Sequence, residues 1–269
     1  MGKRWVVTDI HGCYKTMYRL LHQILKISKD DQLFMLGDFV SKGPSSAKVL
    51  DHIMDLQAQG YEVYPIRGNH EQKILDKWAW WQGEPESLRG PFAGTIKAPD
   101  LVDANGQLPQ KYIDFLESLP YFIETDDVWM VHAGFDFHAE DPFRDTDAMM
   151  VIRGYEVDHA YTKGKPIIHG HTPTLFASIQ RQLKEFDRGG AISLDNGCVL
   201  YHPKEGTWRS KTMGRLLALD LDTRQLYLQR NIDYVPKPMP AHSPLAKIPS
   251  WVRTLPVPVF QRLIHRIVG

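Results

Sequence analysis

The sequence predicts an α/β sandwich in which two β-sheets pack face to face and helices cover their outer surfaces. In the first third, short apolar segments alternate with helical patterns, which is typical of βαβ units and a largely parallel sheet. Later segments follow one another with few helical patterns between them, which favours antiparallel pairing in that half. The 269 residues, 43% of them hydrophobic, fit one large α/β domain.

The first third contains three predicted strands, each an apolar segment that ends at glycine or a polar residue. They lie at residues 3–8, 33–36 and 61–66. Apolar residues spaced three and four apart indicate the helices between them. These helices are predicted around 17–25, over 45–59 and from about residue 71.

Residues 78–110 interrupt this alternation, because Trp78, Trp80 and Trp81 precede a stretch rich in glycine and proline. We predict an irregular insertion or lid here. The tryptophans are expected to pack the insertion onto the core, and the alternative is that they stack on a nucleobase. A helix is predicted over 109–118.

The remaining strands are short, and the last two form a predicted hairpin. Their expected positions are 128–131, 166–169, 191–194, 198–201, 215–221 and 225–229. A proline-rich tail follows from Pro236, with a short amphipathic helix over 259–268. The predicted organisation is a catalytic domain over 1–235 and a tail over 236–269.

Composition excludes several classes of protein. Lys plus Arg equals Asp plus Glu, at 32 each, so the basic surplus of a general nucleic-acid binder is missing. No apolar segment approaches the ~20 residues that span a bilayer. Two cysteines are too few for a disulfide framework, and no signal peptide precedes the first strand. A cytoplasmic protein is expected, and the oligomeric state is not predicted.

Polar motifs follow five of the predicted strands. In open α/β sheets, ligands bind at the carboxyl ends of strands, so these motifs are expected to meet. Each is flanked by glycine, which permits tight turns and close backbone approach. The motifs are Asp9-Ile-His11-Gly, Gly-Asp38, Arg-Gly-Asn69-His70-Glu, His132-Ala-Gly and His169-Gly-His171-Thr.

Carboxylate, imidazole and amide groups together suit manganese, iron, zinc or a mixed pair of these metals. Asp38 lies between the Asp9/His11 motif and Asn69 in chain order, so it is the expected bridge between two cations. Two metals ~3.5–4 Å apart can activate water and hold a phosphoryl group. The sequence therefore predicts two-metal phosphoester chemistry.

The same blocks resemble the signatures of the calcineurin-like metallophosphoesterases, and more narrowly those of the phosphoprotein phosphatase family. That family includes bacterial serine/threonine protein phosphatases and symmetrical diadenosine tetraphosphatases. The resemblance covers roughly residues 1–235 and implies the metallophosphatase fold, a four-layer α/β/β/α sandwich. It also implies two divalent cations, with manganese preferred over iron or zinc.

The resemblance implies a role for each matching residue. Asp9 and His11 would bind the first metal, and Asp38 would bridge to the second. Asn69, His132 and His171 would complete the second metal site. His70 would be the general acid that protonates the departing alkoxide, and a hydroxide between the metals would be the nucleophile.

Two cationic residues are predicted to bind the phosphate group. Lys42 stands where the family more often has an arginine, and its alternative role is that of a solvated turn residue. Arg153 resembles a second phosphate-binding arginine, with a structural role as its alternative and Arg144 as its rival. His169 is expected to support the metal ligands, and direct metal binding is its alternative role.

The motifs disagree about the substrate. Ser41 stands where protein phosphatases of the family usually have an aspartate that charges the acid histidine, and Glu71 or Asp136 could assist instead. Lys42-Gly-Pro resembles the tetraphosphatases, whereas Asn-His70-Glu resembles the protein phosphatases. Phosphoserine or phosphothreonine in proteins is the first prediction. A dinucleoside polyphosphate or capped 5′ end is the alternative, and a scaffold with a decayed site is disfavoured because every expected ligand is present.

Overall fold

The computed structural model describes residues 2–200 and 212–234, which build two β-sheets. The first sheet contains β1 (Arg4–Val7), β2 (Gln32–Met35), β3 (Glu62–Pro65), β8 (Arg215–Asp220) and β9 (Leu226–Arg230), in the order β3-β2-β1-β8-β9. The second contains β4 (Phe122–Glu124), β5 (Trp129–Val131), β6 (Ile167–His169) and β7 (Ala191–Ser193), in chain order.

Seven α-helices surround the sheets in this part of the chain. They are α1 (Tyr14–Arg19), α2 (Ser46–Ala58), α3 (Asn69–Gly83), α4 (Gln110–Ser118), α5 (Thr146–Val151), α6 (His159–Thr162) and α7 (Phe176–Glu185). A π-helical segment over Leu20–Leu25 continues α1. Asp145 and Asp158 begin α5 and α6 by accepting a hydrogen bond from a backbone N–H in the first turn.

The alternation of side chains along each strand creates the layers. In β1, Trp5 and Val7 pack against the helices, whereas Val6 faces the second sheet. On the far side of the second sheet, Trp129 and Val131 belong to a separate aromatic cluster. Helices, two sheets and an outer layer therefore follow one another, which confirms the predicted sandwich.

Strand pairing confirms the parallel half of the prediction and corrects the other half. β1, β2 and β3 are parallel, and β8 and β9 form the expected antiparallel hairpin. However, β5, β6 and β7 also run parallel to one another. The prediction of an antiparallel second half was wrong there, because α5, α6 and α7 provide crossover connections that the sequence patterns did not reveal.

Two further boundaries differ from the prediction. α3 continues to Gly83, so the three tryptophans are helical, and the irregular segment begins after them. Trp78 and Trp81 stack at 5.2 Å and pack on Phe92, which supports the packing interpretation. Residues 198–200 form a 3₁₀ turn in place of the predicted strand. The helix predicted over 259–268 lies outside the described residues.

Within the described residues, no helix is long and apolar enough to cross a membrane. Both cysteines are buried and free.

Candidate metal centre

The polar motifs meet at the carboxyl ends of the strands, on loops with unusual backbone geometry. Asp9, His11, Asp38 and His171 have positive φ angles of 23°, 48°, 54° and 63°. Non-glycine residues in this region cost about 1–3 kcal/mol each and persist where the surroundings hold them. Such strain concentrates at functional sites, and here it falls on four of the predicted ligands.

Asp38 lies at the centre of the site. Its Oδ2 is 3.4 Å from His11 Nε2 and its Oδ1 is 3.4 Å from His132 Nε2. Two groups of three could each hold a cation, and they share Asp38: one adds His11 and His70, the other adds His132 and His171. Asp38 Oδ1 also accepts a hydrogen bond from the backbone N–H of His70, at the positive N-terminal end of α3.

Backbone carbonyls orient two of the imidazole rings. His11 Nδ1 lies 3.1 Å from the carbonyl of Val40, and His132 Nδ1 lies 2.7 Å from that of Leu36. With Nδ1 donating to a carbonyl, Nε2 keeps its lone pair and faces Asp38. This arrangement is typical of metal-binding histidines.

Two further buried carboxylates, those of Asp9 and Asp195, lie close to Asp38. Asp9 accepts hydrogen bonds from the backbone N–H of His171, at 3.2 and 3.0 Å. Asp195 follows β7 and is buried beside it. Burial first, and then Asp195 and Asp38, raise the pKa of Asp9. Burial also raises the pKa of Asp38 and of Asp195 to about 6 each, and a bound cation would offset the negative charge of these carboxylates.

The donor atoms fit a pair of divalent cations. Asn69 Oδ1, His132 Nε2 and His171 Nε2 are buried and have no hydrogen-bond partner. Buried polar atoms are nearly always paired, so these orphaned atoms are suited to a ligand. Burial is the largest cause that lowers the pKa of His132 to about 4 and of His171 to about 3, which keeps both rings neutral and able to bind metal.

Four cationic side chains act on this centre. The Lys42 ammonium lies 2.8 Å from His11 Nε2, on the edge of the cluster. Arg153 donates to Thr172 Oγ1, next to His171. Burial, then Lys42 and Lys73, and more weakly Lys97, lower the pKa of His70 to about 3. The centre therefore combines buried carboxylates with a rim of positive charge.

Glu71 plays a different part from the one predicted. Its carboxylate is fully buried and accepts hydrogen bonds from the backbone N–H groups of Asp38, Phe39, Val40 and Gly68. It therefore holds the Asp38 loop in place and does not approach the His70 ring. Asp136 accepts from its own loop at His138, so neither carboxylate replaces the aspartate missing at Ser41.

The structure separates the remaining candidates. The Arg144 side chain is 88% exposed and pairs with Asp141, whereas Arg153 points towards the centre. His169 belongs to neither cation cluster, and its ring packs near Tyr155.

Sequence reasoning missed Lys73 and Lys97 as members of the site. Lys73 lies one helical turn after Asn69 in α3, so helical spacing could have revealed it. Lys97 lies in the irregular segment, whose backbone carbonyl at this residue accepts from the N–H of Lys42. No sequence signal predicted that contact.

Replacing Gly170 by alanine is expected to weaken metal binding about 10–100-fold, since changes to groups that support ligands have effects of this size. A Cβ atom at Gly170 would overlap Asp9 Oδ2 and displace that carboxylate. Metal affinity can be measured by competition with a chelating dye. The control is Gly94→Ala, where a Cβ would meet no atom within 4 Å. Equal affinities for the two variants would contradict the placement of Asp9.

Curated relatives carry a consistent name. A Citrobacter koseri protein named symmetrical bis(5'-nucleosyl)-tetraphosphatase is 29% identical over 157 residues, or 56% of this chain and 51% of the relative. A Delftia acidovorans protein of the same name is 32% identical over 136 residues, or 48% of this chain and 43% of the relative. The chain spans about half the length of the curated relatives it matches.

Solved structures share the fold. A candidate diadenosine tetraphosphatase has a TM-score of 0.54 at 23% identity and covers 84% of this chain and 92% of its own. A serine/threonine phosphatase from Saccharomyces cerevisiae, described as similar to human PP5, has a TM-score of 0.54 at 16% identity, covering 88% and 81%. At these identities the likeness concerns the fold alone.

The family match covers most of the chain. The sequence profile described as calcineurin-like phosphoesterase matches residues 2–201. That range contains all five motifs, both cation clusters and the rim of positive charge. This chain belongs to the calcineurin-like phosphoesterase family.

Proposed function

We propose that this protein is a phosphoesterase that uses two divalent cations, with manganese as the preferred metal. Asp9 and His11 would hold the first cation, Asp38 would contribute to both, and Asn69, His132 and His171 would hold the second. When bound, the cations supply Lewis acidity and an activated water. The paired clusters that share Asp38 support this proposal.

The remaining side chains orient the substrate. Lys42 and Arg153 are proposed to hold the oxygens of the phosphoryl group, Arg153 from the loop beside His171 and Lys42 from the side of His11. Lys42 is a point charge and grips less specifically than the planar guanidinium of Arg153. His70 is proposed as the group that donates a proton to the leaving oxygen where one is required.

The surroundings of His70 distinguish between the two candidate classes of substrate. Among the described residues, the carboxylate oxygen nearest to His70 Nε2 is that of Asp38, at 4.0 Å, and the bridging role of Asp38 commits it to the cations. Ser41 cannot stabilise an imidazolium by charge. A serine alkoxide needs a proton in order to leave, whereas a phosphate, with a second pKa of ~6, leaves readily as an anion.

We therefore infer that the preferred substrate is a dinucleoside polyphosphate, cleaved between phosphates. The four cations around the centre suit the several negative charges of such a chain. The names of the two bacterial relatives agree with this choice. Phosphoserine and phosphothreonine, which were the first prediction from a sequence whose motifs disagree, are placed second.

The proposal assigns this activity to residues 1–235, with 236–269 as an appended tail. It also includes a cytoplasmic location, where both cysteines would stay reduced.

A rate comparison on manganese-loaded protein tests the proposed substrate. We expect kcat/KM for diadenosine tetraphosphate to exceed that for phosphoserine and phosphothreonine peptides. Ser41→Asp should raise the peptide rate about tenfold or more, because it supplies the missing partner of an acid histidine, and should leave the dinucleotide rate nearly unchanged. Asp38→Asn is the blank.

Faster peptide hydrolysis by the wild-type protein would contradict the nucleotide assignment and leave the phosphoesterase assignment intact. An equal effect of Ser41→Asp on both substrates would show that protonation of the leaving group does not distinguish them.

A further inference from the structure

Two lysines flank His70 from different segments of the chain, and the phosphoryl contacts proposed above use neither of them. Lys73 lies in α3, three residues after His70 and four after Asn69, so the three side chains share one face of the helix. Lys97 lies in the irregular segment that follows α3. Both lysine side chains are exposed.

Hydrogen bonding and core packing hold the irregular segment against α3. Lys77 of α3 donates a hydrogen bond from Nζ to the backbone carbonyl of Thr95. Ile96 and Ala98, on either side of Lys97, are buried in the main core cluster, so the exposed Lys97 lies on the outer side of this segment. The backbone at Lys97 is therefore held in place relative to α3.

The positive charges of both lysines act on the His70 side of the centre. After burial and Lys42, Lys73 and then, more weakly, Lys97 lower the pKa of the His70 ring. Within residues 2–200 and 212–234, neither ammonium group forms a salt bridge with a carboxylate. Their charges are therefore available to a ligand.

The proposed reaction places a leaving group on the side of His70. In cleavage between two phosphates, the oxygen of water forms a bond to one phosphorus and a proton passes to solvent. The bridging P–O bond breaks, and its electron pair stays on the departing phosphate. That phosphate leaves as an anion, so positive charge stabilises it where no proton is donated. An ammonium group can supply this charge because it is a compact cation with three hydrogen-bond donors.

We propose that Lys73 and Lys97 form a subsite for the distal phosphate of a polyphosphate chain, on the leaving-group side of the centre. The inference rests on the proposed function and names the residues that favour a polyphosphate over a phosphate monoester. A monoester carries about two negative charges at pH 7 and has no second phosphate that could reach these lysines. Lys42 and Arg153 hold the attacked phosphoryl group, and Lys73 and Lys97 bind the next one.

Isothermal titration calorimetry on the manganese-loaded full chain, at fixed free manganese, tests the subsite with two probes. Adenosine monophosphate has one phosphate, whereas the α,β-methylene analogue of adenosine diphosphate has two and resists hydrolysis. The wild-type protein is expected to bind the methylene analogue more tightly. Lys73→Gln and Lys97→Gln should each weaken its binding about three- to tenfold and change that of the monophosphate less than about twofold.

Lys184→Gln, which removes an exposed lysine of α7, is the matched control and should retain both affinities. Lys73→Arg and Lys97→Arg keep the positive charge, so they should retain most of the preference for the methylene analogue.

Circular dichroism establishes that each variant is folded, and if one glutamine variant fails to fold, the other decides the question. An unchanged ratio of the two affinities in a folded glutamine variant would overturn the assignment of that lysine. Faster hydrolysis of phosphopeptides than of the dinucleotide would contradict the proposed substrate without altering this ratio, because the calorimetric readout is binding alone.

Discussion

Replacing Asp38 by asparagine is expected to lower kcat/KM by about 10³-fold or more. The Asp38 carboxylate belongs to both cation clusters, so its loss weakens both proposed metals at once. Charge stabilisation by bound metals contributes several kcal/mol to the transition state, and each ~1.4 kcal/mol is a factor of ten in rate. The measurement is kcat/KM for diadenosine tetraphosphate at saturating manganese.

The same substitution is not expected to destabilise the metal-free protein. Burial raises the pKa of Asp38 to about 6, which means that the fold disfavours the charged carboxylate. Asparagine keeps an oxygen that can accept from the N–H of His70. Asp114→Asn, on the exposed face of α4, is the control. Activity within tenfold of the wild type would show that Asp38 does not lie between two catalytic metals.

Replacing Glu71 by glutamine is expected to destabilise the fold by about 2–4 kcal/mol, since each unsatisfied buried donor costs about 1–3 kcal/mol. Each carboxylate oxygen of Glu71 accepts two backbone N–H groups. The amide of glutamine would place donors against two of those groups. The Asp38 loop should shift, and activity should fall with it.

Urea denaturation measures the free energy of unfolding of the Glu71→Gln variant. The same hydrolysis assay measures its activity. Glu117→Gln, at an exposed position on α4, is the control and should change the unfolding free energy by less than about 0.5 kcal/mol. A Glu71→Gln protein as stable as that control would contradict the role assigned to the carboxylate.

Much of the candidate metal centre could be predicted from sequence, because its residues directly follow predicted strands. Asp9, Asp38, Asn69 and His132 each follow an apolar strand, and parallel neighbours bring their carboxyl ends together. The same rule would have found Asp195, which follows β7. Sequence patterns were therefore sufficient to predict the side chains that directly follow a strand.

Contacts between distant segments were not predictable in this way. The direction of the Glu71 carboxylate depends on the Asp38 loop, 33 residues earlier in the chain. Likewise, Lys97 lies near enough to lower the pKa of His70 because the segment around it packs through Phe92 and Ala98 into the core. The parallel order of the second sheet depends on crossover helices, of which α5 and α6 contain only six and four residues.

Anomalous X-ray diffraction from manganese-soaked crystals is the most direct test of the proposed centre. The account predicts two peaks ~3.5–4 Å apart with the Asp38 carboxylate between them. Asp9 and His11 should contact one peak. Asn69, His132 and His171 should contact the other. A single peak, or two peaks that do not share Asp38, would contradict the two-metal centre.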